Sequence, residues 1–394
     1  MNELILKPGR EKSLLRRHPW IFSGAVEKIQ DSPRAGDTVK IVSSNGEFLA
    51  YAAFSPHSQI MARVWDWQER GRIDDEFFRS RIAHAIEARK NLIQDTDALR
   101  LVHGESDGLP GLIVDRYGDT LVLQALSAGA ERWRGTCADI LIELTGAARV
   151  FERSDAEVRQ LEGLPPCTGV LRGSAPPEFI LIREGRLRFQ VNVWAGQKTG
   201  FYLDQRSNRA RIGRLVENKT VLDCFCYSGS FSVHALAGGA KSVMAVDASE
   251  NALTQARQNL ELNQLSRENV ELRQGDVFEV LRTFRDRNDR FDLIILDPPK
   301  FAPTAKFSER AARGYKDINL LAFKLLRPNG LLATFSCSGG ISTELFQKIV
   351  AGAALDAGVD AQIIEPFAAA PDHPVALNFP EGAYLKGLLC RVTS

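Results

Sequence analysis

The spacing of apolar positions changes character along the chain. Up to about residue 72 short stretches alternate between apolar and polar side chains, as in GDTVKIVSSNGEFLAYAAF, where Asn45-Gly46 is a strong hairpin signal, and in IMARVWDW after Pro56. This predicts a small β unit. Asp74 then opens a helical pattern, DDEFFRSRIAHAIEARKNLI, with a capping side chain, early acids and late bases. Two strands are expected around Tyr117-Gly118-Asp119 in LIVDRYGDTLVLQAL, a helix over ERWRGTCADILIELTG, and a hairpin turn at Glu184-Gly185 in ILIREGRLRFQVNV. Residues 73–190 therefore form a second, α+β unit.

From about residue 191 the rhythm becomes strand, helix, strand, helix. KTVLDCFCYSGSFSVHALAGGA, SVMAVDASENALTQARQNLELN, VELRQGDVFEVLRTF, FDLIILDPPKF and LLATFSCSGG each set a short apolar strand before a polar loop. That is the mark of an open, mostly parallel, doubly wound α/β sheet, so residues 191–394 read as a third domain. Ligands of such sheets bind beyond the carboxyl ends of the strands, which makes the residues there the candidates for chemistry.

Composition narrows the class. A chain of 394 residues exceeds one ordinary core, and 50 basic against 49 acidic residues exclude a simple polycation that coats nucleic acid. No run reaches the ~18 apolar residues of a membrane span, and no charged n-region is followed by an apolar core, so a cytoplasmic protein without membrane contact is expected. Six scattered cysteines form no disulfide framework and six dispersed histidines no zinc site; no metal is expected. A local basic stretch does stand out. In KPGREKSLLRRHPWIF, Arg16 and Arg17 lie close to Trp20 and Phe22, a combination that suits phosphates and stacked bases, with a solvated basic edge as the alternative.

The strand ends carry five features. In Asp223-Cys224-Phe225-Cys226-Tyr227-Ser228-Gly229, Gly229 alone remains of a dinucleotide fingerprint, and a tight strand-to-helix turn is an equal alternative. Asp247, eighteen residues beyond Gly229, stands where a carboxylate grips ribose hydroxyls, or else caps a helix. Asp276 is a third acid, able to accept from an exocyclic adenine amine. No phosphate-cradling lysine motif is present, and acids would repel a pyrophosphate. The set suits a cofactor with a ribose, an amine and a positive sulfonium, namely S-adenosylmethionine.

The fourth is Asp297-Pro298-Pro299-Lys300, where two prolines fix an extended turn able to hold the edge of a planar base, unless it is only a rigid loop. The fifth is Cys337 in TFSCSGG. Taken alone, a strand cysteine is usually small apolar packing, the reading given to Cys390, Cys224 and Cys226. Beside a methyl donor and a base-holding loop, it is placed to add as a thiolate to C6 of a pyrimidine and so activate C5. Gly339 and Gly340 would then let a base approach closely.

Together, DPPKFAPTAKF, LLRPNGLLATFSCSGG, QKTGFYLDQRSNR and DHPVALNFPEGAYLKGLLCRV resemble the ribosomal RNA large subunit methyltransferase I family, with KPGREKSLLRRHPWIFSGAV resembling the opening of its N-terminal PUA domain and HGESDGLPGLIVDRYGD its middle domain. The resemblance covers essentially the whole chain and implies a PUA domain over 1–72, a middle domain over 73–190 and a class I methyltransferase domain over 191–394. It implies formation of 5-methylcytosine in 23S ribosomal RNA, naked or in an assembling subunit, from S-adenosylmethionine.

By the same resemblance Asp223, Phe225, Ser228 and Gly229 would lie at the methionine and ribose of the cofactor, Asp247 at its ribose and Asp276 at its adenine, with Tyr202, Gln205 and Asp297 also lining the pocket. Asp297 with Pro298 and Lys300 would hold the cytosine, Cys337 would attack C6, and Arg16 and Arg17 would contact RNA. Many RNA 5-methylcytosine enzymes carry a second cysteine where Lys300 stands, so the base that removes the C5 proton stays unassigned. A nitrogen methyltransferase, which needs no nucleophile, and an RNA-binding assembly factor that has lost catalysis are the competing readings. The sequence leaves a homodimer open.

Overall fold

The computed structural model describes residues 2–69, 71–301 and 308–393, and the chain divides into two compact units. The first comprises residues 1–185, 191–203 and 371–382, and the second residues 186–190, 204–370 and 383–394. The segment APTAKF of the DPPKFAPTAKF motif lies outside the described residues.

The first unit opens with β1 (Glu3–Leu6), the short helix α1 (Lys12–Leu15), β2 (Trp20–Phe22), β3 (Val26–Ile29), β4 (Thr38–Val42), β5 (Phe48–Phe54) and β6 (Ile60–Asp66). These strands form one sheet in the order β2-β6-β5-β4-β1-β3, all neighbours antiparallel except β1 and β4. The alternation read from the sequence closes a core of Leu4, Leu6, Ile21, Val39, Ile41 and Val64. The expected β4–β5 hairpin forms around Gly46, which has a φ of 83°.

Helix α2 (Asp75–Lys90) starts at the expected cap, where Asp74 accepts from the Phe77 amide. After it come β7 (Ala98–His103), β8 (Leu112–Tyr117), β9 (Thr120–Ala125), α3 (Ala128–Thr145), β10 (Arg149–Ser154), the short α4 (Val158–Leu161) and β11 (Cys167–Gly173). The five strands make a sheet in the order β11-β10-β9-β8-β7. Helix α3 begins three residues earlier than the sequence suggests, because Ser127 accepts from the Ala130 amide and sets the first turn there. The GESDGLPG region is held by buried ion pairs. Arg89 is bidentate to Asp107 at 2.8 Å, and Arg100 is bidentate to Asp115 at 2.7 and 2.8 Å. Strands β12 (Ile180–Glu184) and β13 (Leu187–Val191) flank Gly185, whose φ is 58°.

In the second unit α5 (Arg206–Gly213) precedes β14 (Thr220–Cys224), α6 (Ser230–Ala237), β15 (Ser242–Asp247), α7 (Glu250–Leu262), β16 (Val270–Gln274), α8 (Val277–Asp286), β17 (Phe291–Leu296), α9 (Ser308–Leu325), β18 (Leu326–Ser336), α10 (Thr343–Ala357), β19 (Ala361–Ala368) and β20 (Lys386–Val392). The seven-stranded sheet runs β16-β15-β14-β17-β18-β20-β19. Its first five strands are parallel and β20 is antiparallel to both neighbours. This is the doubly wound sheet expected from the repeat of strand and helix. Apolar side chains from both faces of the strands pack into two cores, one around Leu222, Ile294, Leu332, Tyr315 and Phe346, the other around Val221, Leu293, Ile295, Ala333 and Phe335. Because both faces are covered, the central strands read as continuous apolar runs.

Candidate active site

Parallel pairing brings the carboxyl ends of β16, β15, β14, β17 and β18 to one edge of the sheet. Cys224 is in register with Val246 on one side and Leu296 on the other, Asp247 with Gln274, and Leu296 with Thr334. Across that edge the order is Asp276, Asp247, Asp223, Asp297 and Cys337, on strands ~4.8 Å apart. The structure thus gathers the five strand-end features of the sequence on adjacent strands of one unit.

The turn after β14 is strained. Phe225 and Tyr227 take φ of 60° and 47°, and Gly229 takes 72°. A non-glycine residue in this region costs ~1–2 kcal/mol, so two of them in three residues mark a backbone held by its surroundings. Among the bonds that hold it, the Cys226 amide donates to the Val246 carbonyl at 3.1 Å, and the Gly229 amide to the Cys226 carbonyl at 2.8 Å. Gly229 caps α6, and a side chain there would meet the Ala256 Cβ of α7 at 2.8 Å. A tight turn is therefore part of the explanation for this segment.

Asp247 does not cap a helix. Its two oxygens accept from the Tyr227 and Ser249 amides, each at 2.9 Å, while the cap of α7 is Ser249. The carboxylate thereby ties the strained turn to β15. Asp276 is exposed and does cap α8, accepting from the Glu279 amide at 3.2 Å.

Asp223 is completely buried and accepts from Ser232 Oγ at 2.6 Å. Burial, reinforced by the neighbouring Asp297 and Asp247 charges, raises its carboxyl from 3.8 to about 7. Three buried polar atoms near the start of this sheet have no partner among the described residues: Asp223 Oδ1, Ser228 Oγ and Gln205 Nε2. Gln205 is fixed by its other end, where Oε1 accepts from Asn208 Nδ2 at 2.6 Å. Unpartnered groups of this kind cost stability unless a ligand satisfies them. Two acceptors and a donor suit the hydroxyls and amino-acid end of S-adenosylmethionine, so the residues present fit that cofactor.

Beyond β17 the Asp297 amide reaches the Cys224 carbonyl at 3.5 Å, Pro298 is buried, and Pro299 and Lys300 are exposed. Phe301 anchors the turn, packing on Tyr315 and Phe278 with ring centroids 4.8 and 6.1 Å away. Cys337, one residue past the end of β18, is partly buried, between the fully buried Ser336 and Ser338. Tyr315 of α9 shares a 3.0 Å hydrogen bond with Ser338 Oγ. Cys224 and Cys226 are buried and their thiols pushed well up, and Cys390 to about 12, as inert packing groups should be.

Tyr202, Arg16 and Arg17 belong to the first unit. Lys198 Nζ lies 4.4 Å from the centre of the Tyr202 ring. Arg16 and Arg17 are exposed, and Arg17 stacks over Trp67 at 5.0 Å. Two groups of the second unit were missed from the sequence. Tyr315 looks like one more apolar position of α9. Lys386, buried at the start of β20, had a signal: it is the lone cation of the run YLKGLLC.

Residues 4–67 match the model of a PUA-like domain, and residues 157–389 that of S-adenosylmethionine-dependent methyltransferases. The ribosomal RNA large subunit methyltransferase I of Shewanella amazonensis is 51% identical over 389 residues, 98% of either chain. That of Aeromonas hydrophila is 52% identical over 391 residues, again 98% of either chain. The chain belongs to the ribosomal RNA large subunit methyltransferase I family. A putative S-adenosylmethionine-dependent methyltransferase from Streptococcus mutans has the same fold over all of both chains, with a TM-score of 0.86 at 23% identity. As a member of the methyltransferase I family the chain is a methyltransferase that uses S-adenosylmethionine, carried on a PUA-like domain and a doubly wound methyltransferase domain. No helix among the described residues is long and apolar enough to cross a membrane.

Proposed function

We propose that this protein forms 5-methylcytosine in the ribosomal RNA of the large subunit, 23S RNA, with Cys337 as nucleophile. The observation that carries this is the adjacency of β17 and β18, whose register of Leu296 with Thr334 sets the Asp297 turn beside the Cys337 turn. A base-holding loop and a partly exposed thiol on neighbouring strands are what covalent activation of a pyrimidine requires; methylation on nitrogen would leave the thiol idle. The names of the relatives, ribosomal RNA large subunit methyltransferase I, support the choice of RNA.

In this reading Asp223, Phe225, Ser228, Gly229, Asp247, Asp276 and Gln205 line the cofactor pocket, and the cofactor supplies an electrophilic methyl. Asp297 holds the N3 edge of cytosine, with Pro298 and Lys300 beside it. As the Cys337 thiolate bonds to C6, the C5–C6 π pair moves towards N3, where a proton shared with Asp297 receives the charge. C5 then takes the methyl, while the C–S bond pair stays on the donor sulfur as that of a neutral thioether. Loss of the C5 proton to a base, cleavage of the S–C6 bond and return of the N3 proton to Asp297 then restore the aromatic ring and the thiolate. Arg16 and Arg17, in the part taken as the PUA domain over 1–72, contact RNA. The methyltransferase part is taken as 191–394 and the middle part as 73–190.

The test uses 5-fluorocytosine-substituted RNA with S-adenosylmethionine. Fluorine at C5 cannot leave as a proton, so the adduct is trapped. A covalent complex is expected with the native protein and none with Cys337→Ala. Full methylation by Cys337→Ala would remove the nucleophile from the reading and favour a nitrogen target; RNA binding without any methyl transfer would favour an assembly factor.

A further inference from the structure

Nothing adjacent to Cys337 in sequence can stabilise its thiolate, yet the antiparallel pairing of β18 with β20 sets Lys386 directly across from Ser336. Lys386 is only 6% exposed. Its ammonium donates to the Ser338 carbonyl at 2.8 Å and to the Ile341 carbonyl at 2.7 Å. Both acceptors lie in the turn that follows Cys337, so the ammonium bridges two of its carbonyls. An ammonium has three donors, and among the described residues only two of the three are used here.

Burying a lysine is expensive, and a neutral residue of the same length would pack here at lower cost. The buried charge therefore needs an electrostatic reason. Among the described residues, the titratable groups in electrostatic reach of the Cys337 turn include Tyr315 from α9, Asp297 and the exposed Lys300 from the turn after β17, and Lys386 from β20. Tyr315 lies within electrostatic reach of both Cys337 and Asp297. Asp297, when ionised, opposes a second negative charge, and Lys386 is the buried cation that offsets it. Burial lowers the ammonium pKa, while the Cys337 charge raises it. The attraction is mutual, so a charged Lys386 favours the thiolate.

We propose that Lys386 is the positioning residue of Cys337, tying down its turn through two carbonyls and holding the sulfur as a thiolate by its positive charge. This rests on the nucleophile reading above and adds what that reading lacks. The thiol proton leaves to solvent, Lys386 keeps its own three protons throughout, and the sulfur lone pair becomes free to bond to C6.

The test needs neither RNA nor cofactor. The full-length protein is alkylated with iodoacetamide across pH 5.5–10, and carbamidomethylation of the Cys337 peptide is followed by mass spectrometry. The native midpoint is expected well below the ordinary thiol value of ~8.5. Lys386→Met should raise it by about one pH unit, slowing alkylation about tenfold at pH values well below the native midpoint, and Lys386→Arg should restore most of the rate. A native midpoint at or above the ordinary value overturns the proposal even if Lys386→Met fails to fold. So does an unchanged midpoint in a folded Lys386→Met protein. The outcome is separable from the adduct experiment: a trapped adduct with a Lys386-independent midpoint sinks only the lysine, and a Lys386-dependent midpoint with full methylation by Cys337→Ala sinks only the nucleophile.

Discussion

Asp223 and Ser232 share a 2.6 Å hydrogen bond that takes one carboxylate oxygen and leaves the other, completely buried, without a partner among the described residues. A half-satisfied acid of this kind resists ionisation, and its folded value of about 7 stands above the 3.8 of a free side chain.

The sign of the resulting pH dependence follows from linkage. A group whose folded pKa is raised gives stability that is fully present below the unfolded value and lost as pH rises through the folded one. The rise from 3.8 to about 7, at ~1.4 kcal/mol per pH unit, sets a ceiling of ~4 kcal/mol. Urea denaturation of the cofactor-free protein should therefore show a loss of stability between about pH 4 and 7, the unfolded and folded values. Asp223→Asn should flatten that slope, and an equal slope in both proteins would show that Asp223 ionises freely.

Gly229→Ala should cost ~2–4 kcal/mol, combining a left-handed backbone with a Cβ 2.8 Å from that of Ala256. Thermal denaturation measures the loss, and calorimetric titration should show weaker binding of S-adenosylmethionine. Adding Ala256→Gly should recover the steric part and leave the backbone part. Full recovery would mean that the φ of 72° costs nothing.

Gly339 is the opposite case. A Cβ there meets nothing within 4 Å, so Gly339→Ala should leave the melting temperature within about a degree, as surface changes usually do. Because Gly339 lies two residues beyond Cys337, on the path by which a base would approach in the reading above, steady-state kinetics should show a KM for RNA raised several-fold. An unchanged KM would mean that no base passes over this glycine.

Arg16 and Arg17 should contribute unequally to RNA affinity. Arg16 is exposed, whereas Arg17 stacks over Trp67 at 5.0 Å. If Arg16 neutralises a phosphate, Arg16→Ala should reduce the slope of log affinity against log salt by ~0.7–0.9. Arg17→Ala should change the slope less and the affinity at high salt more, because stacking is less sensitive to salt than a phosphate contact. Filter binding at several salt concentrations distinguishes the two.

Most of the architecture was legible because both of its signals are local. Alternation in residues 36–54 and the capping side chain of Asp74 define their elements from neighbours in sequence, and parallel strands with covered faces appear as the apolar runs of β14, β15, β17 and β18. The acids at the strand ends were legible for the same reason, since a parallel sheet places every carboxyl end at one edge. What escaped was whatever depends on register between distant segments. Nothing local reveals that Lys386 faces Ser336, fifty residues away. Asp247 was open to reading as a helix cap, and only the bonds it makes to Tyr227 and Ser249 show it bracing the turn instead.

The insertion of β20 between β18 and β19 has a consequence for the order in which the molecule assembles. The strands at the centre of the edge are joined by pairings that span many residues, Val221 with Leu293 and Leu331 with Arg391 among them. Such long loops must close before the contacts they allow can reward the closure, and this slows folding. Helices and hairpins can form early, but the turn bearing Cys337 acquires its lysine only when the final strand docks. On the lysine proposal above, the low-pKa form of the Cys337 thiol would therefore appear only with the finished sheet, and the half-folded chain would carry an ordinary thiol at that position.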